Sequence, residues 1–274
     1  MAIAAETRDR NTARLTAPGA EPGRSGLMAA DDPDRRRRVR SFVRRPGRLT
    51  PGQRRALDEL LPRYRVDEDA ADLRGVFDRP APLVVEIGFG NGEALAEMAA
   101  AESDKNFVGI EVHEPGVGRL LNRVARRGLD NVRVAMHDAV DVLRGQTASA
   151  SIDELRIYFP DPWPKKRHHK RRLVQPAFVE LAADRLADGG LLHLATDWAP
   201  YAEWMVEVLA TSDALDRLGD PFVARPAWRP RTHFETRGAR KGHRIFDLLY
   251  RRRPRRRRGP PVRSVSDRDL TPRR

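Results

Sequence analysis

Apolar residues along this chain gather in short runs, and helically spaced segments separate the runs. "LVVEI" leads through a glycine turn into "EALAEMA", and "NFVGIEV" is followed by Pro115 and a helical stretch to about Arg127. "NVRVAMHDA" reads as a third strand ending at an acid, and "LRIYFPDP" as a fourth. "PAFVELAADRLADGG" predicts a helix closed by Gly189–Gly190. "LLHLATDW" predicts a fifth strand with a helix after Pro200, and "HRIFDLLYRR" a last strand. Upstream, "RLTPGQRRALDELLPRY" carries a helix start: Thr50 as N-cap, Pro51 at the first position and Gln53 completing a capping box. Strands alternating with helices predict βαβ units and an α/β, doubly wound, mostly parallel sheet of Rossmann-like type. Such sheets bind ligands beyond the carboxyl ends of their strands.

Length and composition bound the rest. The 274 residues suffice for one large α/β domain with extensions. Residues 1–38 and 251–274 lack a hydrophobic period and are rich in Arg, so both are expected to be disordered basic arms around a domain at 39–250. There is no cysteine, which excludes disulfides, thiolate metal sites and cysteine nucleophiles. "MAIAAETRDR" has no apolar secretory core, and no run nears the roughly eighteen apolar residues of a membrane span. A soluble, cytoplasmic protein with no membrane partner is expected.

Charge changes the picture more. The net charge is +13; residues 1–55 hold +8 of it and residues 251–274 hold +9, which leaves −4 for the middle. Within that middle, "KKRHHKRR" (165–172) alone carries +6, so the rest of the domain is acidic, near −10. One concentrated basic island on an acidic domain points to a localised polyanion grip.

"EIGFGNGE" places Gly88, Gly90 and Gly92 after the first strand. Glycine permits a tight turn and close approach of a ligand to the backbone. The spacing G-x-G-x-G departs from the dinucleotide fingerprint G-x-G-x-x-G, and no P-loop lysine follows. Glu86 and Glu93 flank the turn and are poor company for a pyrophosphate. They suit a ligand that carries ammonium and sulfonium charges. Glu111 ends the second strand, where an acid can accept from ribose hydroxyls, and Asp138 ends the third, where it can bond an adenine amino group. Three acids at three successive strand ends describe S-adenosyl-L-methionine. A nicotinamide oxidoreductase is the rival that this pattern argues against.

The fourth strand runs into "PDPWPKKRHHKRR". Prolines on both sides of Asp161 restrict the backbone and hold its carboxylate on a stiff turn. That stretch resembles the signature of the tRNA (guanine-N7-)-methyltransferases, as do "RSFVRRPGRLTPGQRRAL" (40–57), "EIGFGNGE" (86–93) and "RTHFETRG" (231–238). The resemblance covers roughly 40–250. It implies a class I S-adenosylmethionine-dependent methyltransferase fold and methylation of guanine N7 at position 46 in the variable loop of tRNA. It implies that Glu86, Glu111, Asp138 and Asp161 contact the donor. It further implies substrate contacts from Lys165, from Arg167, His168, His169, Lys170, Arg171 and Arg172, from Asp197, and from Thr232, His233, Phe234 and Glu235. Another RNA site, or RNA binding without catalysis, are the alternatives.

The chemistry agrees. Guanine N7 carries an in-plane lone pair and no proton, so a direct displacement needs no general base and no covalent intermediate. The absence of cysteine is consistent with such a nitrogen target. The product base is cationic, so a fixed carboxylate favours the transition state, and Asp161 is assigned that catalytic role. Trp163 can stack on a base or pack in the core, and both readings stay open. His168 and His169 are adjacent, lack metal-ligand spacing and have no acid cluster beside them, so no metal is expected. Six phosphate contacts from the island predict a log–log salt slope of about −4 to −5. The assembly is expected to be a monomer or a homodimer.

Overall fold

The computed structural model describes residues 47–240 and 242–255. The arm expected at 1–38, the motif residues 40–46 and the tail beyond Arg255 lie outside the described residues. Thr50 and Gln53 open the first helix, α1 (Pro51–Glu59), with the reciprocal capping bonds the sequence predicts: Gln53 N–H to Thr50 Oγ1 at 3.3 Å and Thr50 N–H to Gln53 Oε1 at 2.8 Å. A short helix, α2 (Leu61–Tyr64), follows.

Seven strands form one sheet: β1 (Leu83–Ile87), β2 (Asn106–Ile110), β3 (Val132–Ala135), β4 (Ile152–Tyr158), β5 (Leu186–Thr196), β6 (Leu215–Arg217) and β7 (Phe246–Arg252). Their order is β3-β2-β1-β4-β5-β7-β6. The first five pair in parallel, and β7 runs antiparallel to both β5 and β6. The chain therefore winds outward from β1 to β3, returns to lay β4 beside β1, and winds the other way. The switch lies between β1 and β4, where open α/β sheets receive their ligands.

Side chains alternate across the pleat, so β1 feeds two cores. Val84 packs with Leu95, Met98, Leu120 and Val124 from α3 (Glu93–Ala101) and α4 (Glu114–Arg127). Leu83, Val85 and Ile87 pack with Val142 of α5 (Ala139–Gly145), Phe178 and Ala182 of α6 (Pro176–Arg185), and Met205 of α7 (Ala199–Leu209). Both faces are covered, which is why β1 is buried at every position rather than at alternate ones.

Three expectations change. The helix expected to close at Gly189–Gly190 ends at Arg185, and β5 begins at once. Leu186 pairs with Ile152 and Leu191 with Glu154, so the strand bulges between them. Gly189 takes φ +79°, and a Cβ on Gly190 would lie 2.8 Å from the Ala187 carbonyl, so these glycines make the bulge rather than a helix end. Second, the folded domain passes residue 250. Strand β7 reaches Arg252, Arg253 Nε donates to Asp216 at 2.7 Å, and Arg255 donates to Asp188 and to the Leu186 carbonyl. Third, α8 (His233–Arg240) and β6 have no counterpart in the periodicity.

Candidate active site

The carboxyl ends of β1, β2 and β4 open on a cleft of about 430 Å³. Its walls include Gly88, Gly90, Glu111, His113, His137, Phe159, Asp161, Leu173 and Phe234. A side cavity of about 20 Å³, room for one water, adjoins it and is lined by Glu86, Tyr158, Thr232 and Phe234, among others.

Gly88, Gly90 and Gly92 all have left-handed φ, at +75°, +59° and +70°. That path lets the chain turn from β1 into α3 with its backbone facing the cleft. A Cβ on Gly116 of α4 would fall 2.1 Å from the Gly90 carbonyl oxygen, so the turn is seated directly on α4. Glu111 locks it: Oε2 accepts from Gly90 N–H at 3.0 Å, and Oε1 accepts from Val112 N–H at 2.8 Å and His113 N–H at 3.0 Å. Asp138 caps α5 through Oδ1, which accepts from Val140 N–H at 2.9 Å, while its neighbours His137 and Ala139 line the cleft. Glu86 is buried, and its Oε2 has no hydrogen-bond partner among the described residues. Burial pushes its carboxyl up to about 7; Arg156 opposes the rise and Glu111 adds to it.

Across the cleft, β4 ends in a constrained turn. Phe159 has φ +54° and Trp163 φ +44°, rare for residues with a Cβ, and Asp161 stands between them among three prolines. Asp161 lines the cleft. Trp163 is half-buried outside the core; its ring meets the edge of His168 at 5.8 Å and lies under the Arg171 guanidinium at 5.1 Å. It ties the turn to the basic block.

That block is a 3₁₀ helix, Lys166–Arg171. Asp161 before it and Leu173 after it both line the cleft, so the block leaves the rim and returns to it. Lys165, Lys166, Arg167 and Lys170 are exposed; His168, His169 and Arg171 are partly so. Arg172 is the exception to the expected RNA-facing set. Only 3% exposed, its Nε donates to the Pro162 carbonyl at 3.0 Å and its guanidinium covers the Tyr201 ring at 4.9 Å. It braces the Asp161 turn from inside.

The segment matched by "RTHFETRG" forms the third wall. Thr232 Oγ1 accepts from Glu235 N–H at 3.1 Å and so caps α8. Phe234 is 53% exposed and stacks on Phe159, centroids 6.4 Å apart and planes 21° off parallel. Glu235 is buried and bonded to Arg229 Nη1 at 2.6 Å. Asp197 does not line the cleft; it sits beside His243, Oδ2 to Nδ1 3.3 Å, under Gly238 of α8. The described residues contain no group of three or more His, Cys, Asp or Glu placed to hold a metal ion, and no helix among them is long and apolar enough to cross a membrane.

Sequence reasoning missed His113 and His137 on the cleft wall, and the buried set behind it: Tyr158, His193, Arg229 and Asp247. A signal existed for two of these. His193 in "LLHLAT" and Asp247 in "IFDLLY" are lone polar residues inside apolar strands.

Sheet order, switch point and cleft define an α/β protein whose cleft opens over the carboxyl ends of a parallel sheet, where such sheets bind ligands, with the glycine turn, Glu111 and Asp161 on its wall. A family model described as "Putative methyltransferase" matches residues 80–248. The tRNA (guanine-N(7)-)-methyltransferase of Xanthomonas campestris pv. campestris (strain 8004) is 58% identical over 79% of this chain and 85% of its own. That of Halorhodospira halophila is 54% identical over 80% of this chain and 96% of its own. A solved methyltransferase from Pyrococcus furiosus aligns at 17% identity with a TM-score of 0.46, covering 66% of this chain and 79% of that one. The chain belongs to the tRNA (guanine-N7-)-methyltransferase family.

Proposed function

We propose that this chain transfers a methyl group from S-adenosyl-L-methionine to N7 of a guanine in tRNA, at position 46 of the variable loop. The observation that carries the reading is the place of Asp161. A single cleft runs from the glycine turn and Glu111 to Asp161, and the basic helix begins five residues beyond it. When bound, the donor supplies an electrophilic methyl on a sulfonium centre.

The chain's residues then divide the work. Glu86 offers the donor's ammonium a buried carboxylate oxygen that has no partner among the described residues. Glu111 keeps lone pairs beyond its three backbone bonds for the ribose hydroxyls. Asp138 turns its second oxygen to the adenine amino group. Gly88, Gly90 and Gly92 bring the backbone close to the methionine portion. Guanine N7 attacks the methyl carbon: the N7–CH₃ bond forms, the S–CH₃ bond breaks and its electron pair stays on sulfur. No proton moves, so alignment and charge placement are the whole task. Asp161 stabilises the cation developing on the base. Lys165, Arg167, His168, His169, Lys170 and Arg171 hold tRNA phosphates, and Thr232 and Phe234 bound the base on its other side. The reaction takes place in the cytoplasm, by a monomer or a homodimer and without a metal.

The experiment is transfer of labelled methyl from the donor to bulk tRNA by the full-length protein, followed by reduction and aniline scission, which cuts at N7-methylguanosine. Scission at one variable-loop guanine is the predicted result. Label at a base that resists scission, or no label, would refute the reading.

A further inference from the structure

Behind the cleft wall lies a buried polar chain that the donor and acceptor roles above leave unused. Arg229 is completely buried. Its Nε and Nη2 donate to Asp247 Oδ1 and Oδ2 at 2.7 and 2.8 Å, and its Nη1 donates to Glu235 Oε2 at 2.6 Å. Asp247 Oδ1 also meets His193 Nε2 at 2.8 Å, and His193 Nδ1 meets the Tyr158 hydroxyl at 3.0 Å. A carboxylate only accepts, so His193 donates through Nε2 and receives the Tyr158 O–H at Nδ1. Burial holds the His193 ring below its ordinary pKa, with Asp247 opposing the shift, in keeping with a neutral imidazole. The Arg229 guanidinium lies over the rings of Tyr158 and Phe159, at 5.7 and 5.8 Å from their centroids.

Four elements meet in this chain: Tyr158 ends β4, His193 is on β5, Asp247 on β7 and Glu235 in the first turn of α8. A buried ion network is weak evidence for stability, because packed apolar residues of like volume do as well. Its distinctive property is geometry. The guanidinium fork fixes two carboxylates at set angles, which a point charge cannot do. Here one carboxylate belongs to the sheet and the other to the helix that carries Phe234. Phe234 is largely exposed, and its stacking on Phe159 forms a wall of the cleft. Without the fork, Glu235 loses its short bond and keeps only the longer ion pair from Oε1 to Arg225 Nε at 3.6 Å, at the rim, so it is drawn outward and the first turn of α8 with it.

We propose that Arg229, held by Asp247 and His193, is a positioning residue: it latches α8 to the sheet so that the Phe159–Phe234 wall stands over the cleft between the glycine turn and Asp161. The proposal rests on the reading of the cleft as a methyl-transfer site, and one of its measurements is independent of that reading.

The test compares the full-length protein with Arg229→Lys, which keeps the charge and loses the fork, and with Asp247→Asn, which keeps the volume and loses the sheet anchor. Should one fail to fold, the other carries the comparison. Amide exchange across residues 233–240 is expected to quicken by about tenfold or more, with the amides of β1 and β2 unchanged. Donor affinity is expected to fall by much less than kcat on bulk tRNA, which drops by about tenfold or more, since small misplacements at a reacting centre are costly. Unchanged exchange in α8 would overturn the latch. So would losses of donor affinity and kcat in step with a general rise in exchange, the mark of a merely structural residue. A wild-type protein that fails to methylate tRNA refutes the functional reading instead, and the exchange result still decides the latch.

Discussion

The two sides of the cleft are built by different physics. The donor side is held through the backbone: glycines with left-handed φ, and strand-end acids bonded to backbone amides, some one or two residues away and one, Glu111 to Gly90, from the neighbouring strand's end. The acceptor side is held through side chains. The Asp161 turn carries two non-glycine residues with positive φ, and what holds it comes from distant elements. Arg172 reaches back to Pro162 and across to Tyr201, and the buried Arg229 bonds Asp247 of the sheet and Glu235 of α8. The donor side presents a preformed cradle, whereas the acceptor side is a strained turn and an exposed aromatic held by buried charges. Damage to each side should therefore look different.

The largest expected effect is on the acceptor side. Asp161→Ala should lower single-turnover transfer by about 10²-fold or more, the scale for losing a fixed electrostatic partner, with donor affinity retained by calorimetry. Near-normal turnover would remove Asp161 from the mechanism. The donor side should break in the opposite sense. In Gly116→Ala the new methyl overlaps the Gly90 carbonyl, which is backbone and cannot rotate away, so the glycine turn must shift. Donor affinity should fall by about tenfold or more at a stability cost of about 1–3 kcal/mol. Wild-type donor binding in that variant would contradict the seating of the turn on α4.

Adjacent arginines sharpen the contrast further. Arg172→Ala should lower the melting temperature, since it removes a charged hydrogen bond worth about 1.5–3 kcal/mol and the packing on Tyr201. Arg171→Ala should lower melting less, since it loses only its contact over the Trp163 ring, worth about 0.5–1 kcal/mol, and should reduce the salt slope of tRNA binding by about 0.7–0.9. With Arg172 turned inward, the block offers five cations, and its full slope becomes about −3.5 to −4.5. Equal effects from the two substitutions would erase the distinction between brace and grip.

A smaller effect concerns pH. The Glu86 carboxyl titrates near 7 when folded, against 4.5 in its ordinary state, mainly through burial. A raised acid pKa means that the folded chain holds a proton the unfolded chain has lost. This group's contribution to stability is therefore full below 4.5 and declines as pH rises through 7. Binding of an ammonium ligand needs the ionised form. Donor affinity should rise by up to about tenfold per pH unit below 7 and level off above it, with proton release visible in buffers of different ionisation enthalpy. Glu86→Gln should flatten both the affinity profile and the stability profile. A flat profile in the wild type would place the ammonium elsewhere.

The same contrast explains what was legible in the sequence. The order of β1 to β5, the Thr50 capping box and the glycine turn rest on neighbours within a few residues, and residue types state them directly. The helix end at Gly189–Gly190 was misread because glycine serves a strand bulge as well as a helix stop, and only pairing with β4 decides between them. Arg172 belongs by composition to a run of cations, and only burial separates it. The partnership of Arg229 with Asp247, and the stacking of Phe234 on Phe159, join residues that no periodicity connects. Phe159 at φ +54° carries no mark in the sequence beyond its position before a proline.

In the proposed reaction a guanine N7 lone pair is the nucleophile and the chain only aligns it. The most direct measurement replaces that atom. Transcripts made with 7-deazaguanosine triphosphate carry carbon at position 7 and keep the Watson–Crick edge and the phosphates. The account predicts that such tRNA competes for binding with nearly the affinity of the unmodified transcript and accepts no methyl group from the labelled donor. Methyl transfer to the 7-deaza transcript would contradict it.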